Sequence, residues 1–302
     1  MVFTDLSNNR TRLFLIQLII SFLTVVQLTT DVQADDWSKI RTQSAIATAY
    51  NFAPLPNNAG QGITIAVLTT GIANSLQTKL RSRVRNENFV TTEPASDLHG
   101  FGSHSVSILA ALAPKATIIS LKVLFKNGQS NFTLVAKGIE RAVTLDANII
   151  VITLGARPTA NYSRINKAVA NAQKKGIIVL AGAGNSGKAQ IAYPANVDGV
   201  IAVGSTDVHD IASSYSNYGS KIVYAPGKNI IAHWKDKLRP ISGTTRSVTV
   251  AGAIYAVLWS QRPYATARQI ADAVTRTARI ISVKGARAKR IDGAAALKAL
   301  QR

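Results

Sequence analysis

From Gly62 onward, short apolar runs alternate with longer amphipathic stretches, and that rhythm leaves few architectures open. Residues 63–68, 116–124, 148–154, 177–181 and 200–203 are runs rich in Ile, Val and Leu. Between them, 103–112, 131–145 and 162–175 carry a helical pattern, stopped by Pro114 and Gly176 where those fall. Strands that are apolar on both faces must be covered on both faces, and strands separated by helices pair in parallel. The expectation is an α/β fold of three layers: a mostly parallel central sheet with helices on both faces. Ligand sites in such sheets lie beyond the carboxyl ends of the strands.

One further stretch departs from this rhythm. Residues 242–260 read SGTTRSVTVAGAIYAVLWS. Ala251, Ile254, Tyr255 and Leu258 recur at i, i+3, i+4 and i+7, while Val250 and Val257 cover the other sides. A helix apolar all round is expected to be buried all round. Its Gly-Thr-Thr mouth suggests a side chain held at a helix N-terminus. Arg246 is odd there, because a cation in the first turn opposes the helix dipole. Either it helps the N-terminus hold an anion such as a carboxylate, or it reaches outward to solvent.

The chain has 302 residues, enough for one large domain, and no cysteine, which excludes disulfides and thiolate metal sites. Lys and Arg number 35 against 15 acidic residues, a formal charge of +20. That balance fits a soluble basic surface, or adhesion to an anionic polymer or membrane. Basic residues cluster at 79–85 and 284–290, with little aromatic interleaving, so specific nucleic-acid recognition is not expected. Residues 1–34 read as an export signal: Arg10 and Arg12, an apolar run over 13–28, then Val32-Gln33-Ala34. An uncleaved N-terminal anchor is the other reading. The expected organisation is a signal at 1–34, a lead-in at 35–60 without room for a propeptide, and one domain over 61–302. The destination is periplasmic or extracellular.

The strand ends carry motifs. Val67-Leu68-Thr69-Thr70-Gly71-Ile72 is similar to V-L-D-T-G-I, and Gly100-Phe101-Gly102-Ser103-His104 to G-H-G-T-H. Ala183-Gly184-Asn185-Ser186-Gly187 matches A-G-N-x-G, and 214–219 with 225–227 match S-x-S-N-Y-G and A-P-G. Ser242-Gly243-Thr244-Thr245 stands where S-G-T-S is found. In order and spacing, from about residue 37 to the C-terminus, the chain resembles the subtilisin-like serine peptidases.

That resemblance implies a subtilisin-like fold and a degenerate triad. The orienting Asp, general-base His and nucleophilic Ser positions are occupied by Thr69, Phe101 and Thr245. Thr69 carries no charge, Phe101 accepts no proton, and Thr245 keeps a hydroxyl without a base. Asn185 matches the oxyanion donor. Thr153, Leu154 and Gly155 resemble one substrate-lining strand, and Gly128, Gln129 and Ser130 the facing edge. Together they imply a cleft that clamps an extended peptide by strand addition. His104 reads as a packing residue, His209 and His233 as surface residues, and Asp97 and His99 as members of a loop able to swing inward. No metal site or cofactor is expected; the loop that supplies calcium ligands in some relatives is short after Leu112. The leading expectation is a secreted pseudoprotease that binds peptide or a partner protein. An active endopeptidase with a relocated base, and a basic adhesin, are the alternatives.

Overall fold

The structure is a computed structural model that describes residues 36–52, 54–159 and 162–301. The export signal expected over 1–34 lies outside these residues. Two compact units divide between Lys39 and Ile40, and the second, Ile40–Arg302, holds the sheet. Residues 36–42 are helical (α1), followed by α2 (Ser44–Tyr50) and, after the first strand, α3 (Asn74–Leu80). Ile40, Ile46 and Ala49 are fully buried, so the segment read as a lead-in packs as part of the compact unit from residue 40.

Nine strands form one sheet: β1 (Thr64–Thr69), β2 (Val84–Asn88), β3 (Thr117–Lys122), β4 (Ile149–Ile152), β5 (Ile178–Gly182), β6 (Ile201–Thr206), β7 (Ile222–Pro226), β10 (Arg279–Val283) and β11 (Ala286–Arg290). Their order is β10-β11-β7-β6-β5-β4-β1-β3-β2. Pairing is parallel throughout except between β10 and β11. The chain builds β2 and β3 to one side of β1 and β4 to β7 to the other. The order therefore reverses between β1 and β4, where a crevice opens at the carboxyl ends. A separate antiparallel hairpin, β8 (Ile230–Trp234) and β9 (Lys237–Ile241), stands outside the sheet.

Helices cover both faces, as the alternation of runs requires. On one, α5 (Phe132–Thr144) and α6 (Ser163–Lys174) pack together over the sheet. Ile150 and Ile152 of β4 point that way and join Val135, Ile139, Ile165 and Val169. The opposite face carries α4 (Phe101–Leu112) and α7 (Thr244–Gln261). There Val151 meets α7 at Gly252, where an added Cβ would come within 2.6 Å of Val151 Cγ2. Every residue of α7 except Thr245 and Gln261 is buried. Thr245 sits half-exposed at the mouth of that helix, and this is where the site is found.

Candidate functional site

The parallel strands deliver their carboxyl ends to one side of the molecule, and the sequence motifs follow them. Thr69 ends β1; Thr153 to Gly155 follow β4; Asn185 follows β5. Gly243 precedes α7 with φ +149, on the border of the region that favours glycine. The Asn185 side chain docks on this helix start. Its Oδ1 accepts from Thr244 N (2.9 Å) and Thr244 Oγ1 (3.0 Å). Arg246 N turns back to Gly243 O at 2.9 Å. Among the described residues, neither the Thr245 N–H nor Asn185 Nδ2 has a hydrogen-bond partner, and both residues border the same cleft. The position a Gly243 Cβ would take lies 3.1 Å from Thr245 Oγ1 and 3.6 Å from Asn185 Nδ2. Such paired donors suit a carbonyl oxygen or an oxyanion.

No proton acceptor faces the Thr245 hydroxyl: no imidazole or carboxylate lies within hydrogen-bonding distance of it among the described residues. Phe101 is the first residue of α4, and the guanidinium of Arg246 lies over its ring, 4.2 Å from the centroid. Arg246 is fully buried. Both expectations for it, an anion holder at the helix mouth and an outward-reaching side chain, are overturned. The side chain folds inward because Phe101 offers a ring face and His104, one turn along α4, offers a lone pair. Arg246 Nη1 donates to His104 Nδ1 at 2.8 Å. His104 Nε2 faces Ile230 O (3.1 Å) and Arg239 O (3.2 Å) on the hairpin, which makes Nε2 the protonated nitrogen.

Electrostatics follow from this packing. Burial lowers the Arg246 pKa to about 9, offset in part by Asp97. His104 is held well below its ordinary value, first by burial and then by the Arg246 charge. It is a neutral imidazole locked from both nitrogens. Arg246 has no carboxylate within ion-pairing distance among the described residues, and its Nε and Nη2 are buried without partners. Asp97 cannot swing in to help. Its Oδ1 accepts from His99 N, Gly100 N and Thr70 Oγ1, and its Oδ2 from Ser103 N and Oγ, at 2.7 to 3.0 Å. It is the cap of α4, satisfying orphan amides of the first turn. Thr69 is fully buried, and its hydroxyl has no partner. His99 stacks near Trp234, with ring centroids 5.3 Å apart. His233, read from sequence as a surface residue, is 3% exposed because β8 carries it under the hairpin.

A cleft of about 340 Å³ opens beside the donor pair. Leu154, Gly155, Asn185 and Thr245 border it, with Arg157 at its rim. The backbone of Leu154 and Gly155 is unpaired among the described residues, so an extended chain has an edge to pair with. Thr153 is not at the cleft: it is buried, and its Oγ1 donates to Leu68 O at 2.7 Å, tying β4 to β1. Part of the expected facing edge is held by its own turn. Gly128 N donates to Phe125 O, Gln129 O accepts from Phe125 N, and Gln129 N donates to Asn127 Oδ1. Ser130 Oγ donates to Val123 O at 2.5 Å. The N–H groups of Gly128 and Gln129 are thus committed to their own turn, whereas the backbone at 154–155 is open among the described residues.

A model of the subtilase family matches residues 60–297. The thermostable alkaline protease of Halalkalibacterium halodurans is 33% identical over 231 residues, 72% of this chain and 63% of that protein. Thermitase of Thermoactinomyces vulgaris is 34% identical over 239 residues, 75% of this chain and 84% of that one. The chain thus spans less than two thirds of the alkaline protease and more of thermitase. Among solved structures, a mutant of the protease domain of PatA superposes with a TM-score of 0.71 at 22% identity, covering 82% of this chain and 98% of that one. A cold-adapted subtilisin-like serine proteinase gives 0.70 at 24%, covering 78% and 90%. At such identities these two speak for the fold alone.

Proposed function

The chain belongs to the subtilase family, and we propose that within it this protein is a pseudoprotease, one that holds an extended peptide or a partner's segment without cutting it. The observation that carries this reading is the occupancy of the base position. Phe101 has no nitrogen, and the cation above its ring would oppose the imidazolium that general-base catalysis forms. Thr245 keeps a hydroxyl, but a hydroxyl without a base is a poor nucleophile at neutral pH. In subtilisin itself, loss of the triad lowers turnover about 10⁶-fold, while binding and the oxyanion hole still leave about 10³–10⁴ over water. What is left in this chain is the half of the machinery that binds: Asn185 Nδ2, the Thr245 N–H, and the open edge at Leu154 and Gly155.

The alternatives are an endopeptidase with a rebuilt site and a basic adhesin with an idle cleft. Assay of the purified protein on unstructured casein separates the first. The expected result is turnover no higher than that of Thr245→Ala; activity that this substitution abolishes overturns the proposal. Restoring the triad with Thr69→Asp, Phe101→His and Thr245→Ser is expected to leave the protein inactive while Arg246 remains. Adding Arg246→Met is expected to bring measurable turnover. Calorimetry with end-blocked peptides separates the adhesin. Cleft binding is lost in Gly155→Trp, since a side chain there enters the space beside Ala192, and it changes little with salt. Export completes the reading. It rests on residues 1–34, and N-terminal sequencing of secreted protein is expected to start near Asp35. Among the described residues, no helix is long and apolar enough to cross a membrane.

A further inference from the structure

The cluster at 284–290 has no place in the cleft reading, and the fold puts it at the edge of the main sheet. Among the described residues β10 is the terminal strand, paired on one side only, with β11. The two are joined by Lys284-Gly285, whose φ angles of +52° and +80° fit a two-residue hairpin loop of the primed type. That loop makes Val283 and Ala286 a hydrogen-bonded pair. By alternation Ile281 and Arg279 also bond inward to β11. The N–H and C=O groups of Ile280 and Ser282 therefore point out of the sheet.

Side chains sort the same residues. Ile280 is opposite Lys289 and Ser282 opposite Arg287, so these four share one face, and all four are exposed. Ile280 is 47% exposed. Arg290 lies on the other face, fully buried, with Nη2 donating to Asp210 Oδ2 at 2.5 Å. Residues 279–290 hold five basic side chains and no acidic one.

Proteins ordinarily blunt such edges, and this one does so elsewhere. β2 reads Val-Arg-Asn-Glu-Asn and is polar after its first residue. β9 contains Pro240. On β8, Ile231 N donates to Gln43 Oε1 and His233 N to Ser107 Oγ. β10 has no proline and, among the described residues, no side-chain cap, and it carries two isoleucines and a valine.

We propose that β10 is a docking edge that takes an extended acidic segment of a partner protein as an added strand. Charge complementarity chooses the partner. Acidic side chains at every second position would lie on the face of Arg287 and Lys289, while the intervening positions lie on the Ile281 and Val283 face and favour small apolar residues. Alternating donors and acceptors at strand spacing suit a polypeptide backbone. Residues 279–290 offer no aromatic ring on which a base could stack.

The test uses the full chain and a labelled, end-blocked peptide, Thr-Glu-Val-Glu-Val-Glu-Thr, followed by fluorescence anisotropy at low salt. Binding is expected, weakened about tenfold or more when the amides that meet β10 are N-methylated. Ile280→Pro removes an outward N–H without touching the ladder to β11 and is expected to have a similar effect, as is the pair Arg287→Glu and Lys289→Glu. Gly155→Trp leaves this binding unchanged, which separates it from the cleft. N-methylated peptide binding as tightly as its parent overturns strand addition and leaves only diffuse charge. Displacement by an equal concentration of a single-stranded oligonucleotide overturns the choice of a protein partner. No binding at all overturns the whole proposal.

Discussion

Arg246 is a cation buried with no carboxylate in ion-pairing distance among the described residues, in a place where the family motif offers no reason for one. Burying a charge that is not paired is among the costlier things a fold can do. Its compensation is one hydrogen bond to His104 Nδ1, the face of Phe101 and the charge of Asp97. Arg246→Met keeps the bulk and removes the charge, at the cost of one unsatisfied imidazole nitrogen worth about 1–3 kcal/mol. Replacing buried ionic groups by apolar ones of similar volume often gains about 1–4 kcal/mol. With two further guanidinium nitrogens already unsatisfied, the gain is expected to win. Urea unfolding of Arg246→Met should show a higher midpoint with unchanged slope. His104 gives a pH prediction. Its folded pKa is depressed, so the unfolded chain binds the proton more readily. Stability is then fully present above the unfolded value of about 6.5 and falls as pH drops toward the folded value, by up to about 1.4 kcal/mol per pH unit. Arg246 and His233 both face this imidazole and act in the same direction. The loss between pH 7.5 and 5.5, measured by urea unfolding, should shrink in His104→Gln. None of this was legible in the chain. Spacing puts Arg246 in the first turn of α7, but only the tertiary partners, Phe101 and His104 on another helix, decide whether it turns in or out.

At the scale of elements, α7 crosses the sheet where Gly252 meets Val151. A Cβ there would approach a stiff, fully buried Val methyl to 2.6 Å. Gly252→Ala gains about 1 kcal/mol of helix propensity and loses about 1–3 kcal/mol to overpacking. The net is expected to be destabilising, and Val151→Ala in the same chain should recover part of it. A double-mutant cycle that finds the two substitutions additive removes the contact as the cause. The strands and helices that the chain announced, β1, β3 to β6, α4 to α7, are those with continuous apolar runs or a clear helical stripe. The hairpins β8–β9 and β10–β11 were silent because Lys237–Ile241 and Ala286–Arg290 are short and largely polar. Missing β8 turned His233 into a surface residue. The segment at 128–130 was only partly legible for a related reason. A motif match locates a turn, yet whether its amides are free depends on Asn127 and Phe125, which use them.

The whole molecule carries 35 basic and 15 acidic residues, and the acidic ones among the described residues are largely committed. Glu87 pairs with Arg141 and Arg85, Glu140 with Arg164, Glu93 with Lys122, Asp210 with Arg290, and Asp97 caps α4. Most of the excess positive charge is left facing itself across the surface. Two effects of added salt then oppose each other. Screening weakens the surface ion pairs, each worth about 0–1 kcal/mol. It also weakens the mutual repulsion of a surplus of 20 charges, which destabilises the compact state. The partly buried pairs, Glu93 with Lys122 and Asp210 with Arg290, are shielded from salt, so little attraction is lost while repulsion is lost everywhere. Stability to urea should therefore rise as sodium chloride goes from about 0.01 M to about 0.5 M, over which the screening length falls from about 30 Å to a few ångströms. Over the same range, association with anionic vesicles should fall steeply while peptide binding in the cleft changes little. A midpoint that drops with salt would mean that the paired charges outweigh the surplus, and that the basic surface is a network rather than a field.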